Sequence, residues 1–124
     1  MSKRLALPFT LAAFIALPAL ADDARPHHYR GEPAETLEQA VRNFSEYNTR
    51  LEAALAEEPL DLARLDAIHQ LTYTLENALN KIRADLETTS ETLEAVHKAS
   101  EHGDAETARR EGEKYLRAAR TVIK

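Results

Sequence analysis

From Leu65 to Ser100 the chain repeats apolar or small residues at alternating steps of three and four, with no glycine or proline between them: Leu65, Ile68, Thr72, Leu75, Leu79, Ile82, Leu86, Thr89, Leu93, Val96, Ser100. A phase held over five heptads commits the segment to a long helix packed lengthwise on its neighbours in left-handed, coiled-coil fashion. The same spacing runs through Leu37, Val41, Phe44, Asn48, Leu51 and Leu55, and again through Ala105, Ala108, Gly112, Tyr115, Ala119 and Val122. No strand-like alternation competes. The expected fold is all-α, an antiparallel helical bundle of three helices with a long middle helix.

The punctuation agrees. Pro33 and Pro59 stand where helices can begin, since proline lacks only an N–H that a first turn leaves unpaired. Gly103 followed by Asp104 reads as a left-handed stop and then an N-cap. Between these marks Leu60 to His102 makes one helix of about 43 residues, near 64 Å at 1.5 Å per residue. Against continuity, Thr88-Thr89-Ser90-Glu91 holds a capping-box pattern, and a break there would give four helices. The unbroken phase favours one helix, with the first helix antiparallel on its N-terminal half and the last on its C-terminal half. Ends only two helices thick bury little, so this arrangement predicts a homodimer.

The opening MSKRLALPFTLAAFIALPALADD has two cations, an apolar run from Leu5 to Leu17, Pro18, and alanines at 19 and 21. This is the layout of a secretory signal peptide cut after Ala21. The run of about 13 residues is short of the roughly 20 that span a bilayer, so the mature form is expected to have no membrane span. Residues 1–21 are thus read as signal peptide, 22–32 as a flexible lead containing Pro26 and Gly31, and 33–124 as the bundle domain. Without Lys3 and Arg4 the sixteen cations become fourteen against twenty-one acids, which excludes charge-driven nucleic-acid binding. The chain has no cysteine, hence no disulfide, no lipid attachment site and no thiol nucleophile. About one hundred residues suffice for one modest core.

The words HHYRGEPAETLEQAVRNFSEYNTRLEAAL and IHQLTYTLENALNKI resemble a family of small secreted proteobacterial helical proteins with no assigned function. That resemblance implies a periplasmic bundle and brings no catalytic residues. More distantly, GDAETARREGEKYLRAAR is similar to the last helix of the periplasmic four-helix b-type cytochrome. The likeness is one of bundle geometry. Neither haem ligand survives, because the single methionine is Met1 and no histidine lies beyond His102.

Candidate chemistry is sparse. His27 and His28, with Asp22 and Asp23, form a tail able to hold copper or zinc loosely, though without fixed geometry. Glu94-x-x-His97 and Asp66-x-x-His69 have a helical metal-ligand spacing, but 28 residues of helix put them roughly 42 Å apart. No shared metal follows, and no cofactor is implied. There is no Gly-x-Ser-x-Gly turn and no phosphate loop, so no enzyme is expected. The cations Arg110, Lys114, Arg117 and Lys124 are expected to pair with Glu87, Glu91 and Glu94 across a hairpin.

The stretch IHQLTYTLENAL, Ile68 to Leu79, is the one polar intrusion into the apolar line. A turn at Pro59 brings Tyr47, Asn48, His69, Thr72 and Tyr73 within about two turns of one another. A buried Asn48 would fix register; alternatively the five line a small polar pocket that binds a ligand. The sequence therefore points to a non-enzymatic periplasmic protein acting on an unknown periplasmic protein partner, with a carrier of a small ligand or metal as the alternative. Export is checked by the intact mass of the protein recovered from the periplasm: it should begin at Asp22, and a mass retaining residues 1–21 would contradict the signal reading.

Overall fold

The structure is a computed structural model describing residues 29–123. The expected cut site and His27 and His28 lie outside the described residues. Three helices follow in order: α1 (Leu37–Leu55), α2 (Leu62–Glu101) and α3 (Ala105–Val122). The chain is all-α with a long middle helix, and α2 runs 40 residues without a break. The threonine cluster does not interrupt it, because each hydroxyl finds a carbonyl on its own helix: Thr88 Oγ1 donates to Ala84 O at 3.3 Å, Thr89 Oγ1 to Asp85 O at 2.7 Å and Thr92 Oγ1 to Thr88 O at 2.9 Å. Back-bonding of this kind satisfies the side chain without competing for the helix N–H groups.

Each helix starts on a side-chain cap. Thr36 accepts from Gln39 N–H at 3.2 Å, Asp61 from Arg64 N–H at 2.9 Å and Asp104 from Thr107 N–H at 3.0 Å. Gly103, at φ 73°, makes the left-handed stop that separates α2 from α3. Pro33 does not open α1, whose cap stands three residues later; it belongs to the segment that leads in.

α2 packs against both other helices, while α1 and α3 meet only in part. Leu37 at the start of α1 and Thr121 at the end of α3 share one groove with Asp85 and Thr89. The two short helices therefore follow one another along a single side of α2, and the molecule is two helices thick for most of its length.

The packing phase departs from the leucine-rich line. On α2 a line of buried and half-buried residues runs through Ile68, Leu71, Leu75, Ala78, Ile82, Asp85, Thr89, Thr92, Val96 and Ala99, with Thr74 buried beside it. In heptad letters, Leu75, Ile82, Thr89 and Val96 are a positions, and Leu71, Ala78, Asp85, Thr92 and Ala99 are d positions. Leu65, Leu79, Leu86 and Leu93, expected in the seam, are e positions and stand 44 to 48 % exposed. Ser100 is exposed as well. On α1 the seam is Leu37, Ala40, Phe44, Tyr47, Leu51 and Ala54, so Asn48 and Leu55 face solvent. Only the line expected for α3 keeps its phase.

The reason is steric. Ala40 and Ala78 are fully buried and Ala99 nearly so, and such small d residues let helix axes approach closely enough for the a residues to interlock, as leucine at every seam position would not. Filling that space should be costly. Ala78→Leu is expected to lower unfolding free energy by about 1–3 kcal/mol through overpacking, whereas Asn48→Leu should change it by less than about 0.5 kcal/mol. Urea denaturation of the two variants checks this, and the reverse order would restore the leucine line as the seam.

Candidate functional site

The two flanks of the α2 seam differ. On the g side lies a strap, Tyr29 to Pro33, in the stretch expected to be a flexible lead. It is tied down largely through its backbone. Glu32 N–H donates to Thr74 Oγ1 at 2.9 Å, and Asn77 Nδ2 donates to Arg30 O at 2.9 Å and Glu32 O at 3.0 Å. From α1, Asn43 Nδ2 donates to Pro33 O at 3.3 Å and the Tyr47 hydroxyl to Glu32 Oε1 at 2.9 Å. Gly31 sits at φ 69°, and a Cβ added there would meet Thr74 N at 2.6 Å. Strap backbone thus rests directly on helix backbone, which only glycine permits. Thr74 is fully buried beneath it.

Burial, aided by the Glu32 carboxylate it donates to, pushes the Tyr47 phenol above its ordinary value. A raised phenol pKa contributes stability that is complete below the unfolded value of about 10 and lost as pH rises through the folded one. The guanidinium of Arg50 lies 4.6 Å from the Tyr47 ring centre, closing the site from outside.

The five polar residues expected to converge divide between these surroundings. Tyr47 is buried in the strap network. Tyr73 hydroxyl and His69 Nε2 lie 3.1 Å apart, and Tyr29 meets the Tyr73 ring edge-on at 6.5 Å between centres. Thr72 Oγ1 turns back to His69 O at 2.7 Å. Asn48 faces solvent, so it does not fix register. What this stretch of α2 mainly does is receive the strap, through Tyr73, Thr74 and Asn77. The last two were not singled out from the sequence, nor were Glu32 and Asn43. The available signal was Gly31 in a short word of non-periodic polar residues, together with asparagines beside the seam that can donate to carbonyls.

Neither Glu94-x-x-His97 nor Asp66-x-x-His69 is part of a cluster of metal-ligating side chains among the described residues. His97 Nε2 lies 3.4 Å from Glu101 and Glu94 pairs with Lys98 at 3.2 Å, each four residues along the helix. Among the described residues no three metal-ligating side chains converge. Of the cations expected to pair across the hairpin, Lys114 and Arg110 instead both reach Glu111 at 2.9 Å and together hold its carboxyl below the usual range; Lys124 lies outside the described residues. Where the three helices meet, Thr88, Thr89, Thr92, Thr121, Asp85 and Arg117 help line an open groove of about 460 Å³.

The other flank of α2 is bare. Leu65, Leu79, Leu86 and Leu93 line it at e positions, and Leu55 of α1 and Leu116 of α3, at 51 and 44 % exposed, hold the same letter. Reversing a helix places each flank against its own kind, so in these antiparallel pairs e adjoins e. All six leucines belong to one side of the molecule. A family model matches residues 1–124. The chain belongs to the family of unknown function DUF6746. No curated protein and no solved structure matches it. Among the described residues this DUF6746 chain forms three helices, and neither comparison supports the distant likeness to the b-type cytochrome.

The strap yields a prediction. Gly31→Ala should release residues 29–33, seen as rapid amide exchange at Glu32, and cost about 1–3 kcal/mol. Tyr47→Phe should cost about 1–2 kcal/mol at neutral pH and remove part of the stability loss above pH 10. Unchanged exchange in Gly31→Ala would show that the strap is not seated as described.

Proposed function

We propose that this DUF6746 chain is an exported, non-enzymatic periplasmic protein that acts by binding another protein. The observation carrying this reading is the bare leucine flank. Leu55, Leu65, Leu79, Leu86, Leu93 and Leu116 stand about half exposed on one side of a two-helix-thick body, and exposed apolar patches of that extent mark interaction surfaces. Export rests on the signal-like residues 1–21, and the described residues contain no helix long and apolar enough to cross a membrane.

The rival, a carrier of a small ligand or metal, has less to stand on. Its five polar residues do not all converge: Asn48 faces solvent and Tyr47 donates to Glu32, leaving His69 and Tyr73 to meet without them. Metal analysis and native mass spectrometry of protein purified from the periplasm separate the two. The interaction reading expects no stoichiometric metal or small molecule, and either one at a one-to-one ratio would overturn it.

A further inference from the structure

The leucine flank has a definite shape. At e positions Leu65, Thr72, Leu79, Leu86 and Leu93 recur every seven residues, so the line stays straight along α2 for 28 residues, about 42 Å. The opposite flank is covered by the strap, through Glu32 on Thr74 and Arg30 on Asn77. Nothing among the described residues does the same for the e side. With Leu55 and Leu116 beside it the strip is two helices, about 20 Å, wide. The face that carries the strip, polar residues included, is roughly 800 Å², the share of one partner in a standard interface.

Next to the leucines, at b positions of α2, stand His69, Glu76, Arg83, Ser90 and His97. Glu76 forms no ion pair among the described residues, and Arg83 donates only to the neutral Asn80 Oδ1, at 3.2 Å. These two opposite charges sit at equal distances on either side of position 79 to 80, with Leu79 between them. A two-fold axis there turns α2 antiparallel to its own copy and brings Glu76 opposite the copy's Arg83, twice. A parallel pairing would set like charge on like. A patch that is complementary to itself under a two-fold rotation is what an isologous contact requires.

We propose that this flank is where two copies of the chain pair, α2 antiparallel to α2, with Leu79 at the centre, Leu86 one heptad to either side of it and reciprocal Glu76–Arg83 pairs beside them. The proposal rests on the interaction reading and names its partner. The paired molecule is a four-helix-thick body in which the leucine line becomes a second seam, with the a and d residues already used inside each copy.

Sedimentation of the chain purified after export, across a range of concentrations, tests it. The wild type is expected to form a dimer, and Leu86→Glu a monomer with unchanged helix content. Glu76→Arg and Arg83→Glu should each weaken pairing by about tenfold or more, while the double exchange Glu76→Arg/Arg83→Glu restores it. A wild type that stays monomeric at millimolar concentration overturns the proposal, as does a dimer indifferent to Leu86→Glu or a double exchange that fails to rescue. If the chain is monomeric yet Leu86→Glu abolishes a periplasmic cross-link to a different protein, the second copy is excluded and the interaction reading survives.

Discussion

The structure depends on close approach of helices across small residues. Ala40, Ala78 and Ala99 are buried where α2 meets its neighbours. Small residues at d bring backbones together, which raises the dispersion gained by each a residue. They also decide what is left outside. Once a and d define the seam, the larger e leucines must lie on the flank, because a two-helix layer has no third element to cover them.

The g flank shows how such an edge can be closed within one chain. The strap has little apolar bulk, so it is held by hydrogen bonds: Thr74 accepts from Glu32 N–H, and Asn77, Asn43 and Tyr47 donate to the strap, the asparagines to its carbonyls. A close fit is needed for that, and Gly31 supplies it by pressing main chain onto main chain. The two flanks thus follow different physical rules: geometry and polar complementarity on one, area and shape on the other.

Much of the fold was legible in the sequence. The helix count, the continuity of α2, the Gly103 stop with its Asp104 cap and the placing of α1 and α3 on opposite halves of α2 all follow from periodicity and punctuation. The phase did not, and the reason lies in particular residues. Leu79 and Ala78 are neighbours in sequence, as are Leu86 and Asp85, and apolarity alone selects the leucines. Packing selects the smaller side chain, because the gain from close backbone approach is a property of two helices together. Asn48 and Tyr47 exchange roles because the α1 seam runs through Ala40 and Tyr47, where the Tyr47 hydroxyl finds Glu32. The strap was missed because most of its bonds are made by backbone groups, which carry no residue identity.

The account's central claim is that the α2 seam runs through Ala78 and Asp85, one residue away from its leucines. Since the chain has no cysteine, single cysteines placed at 78, 79, 85 and 86 report accessibility without interference. Thiol labelling at nanomolar protein concentration, where self-association does not compete, should be slow at 78 and 85 and fast at 79 and 86. Fast labelling at 78 and 85 with protection at 79 and 86 would contradict the account.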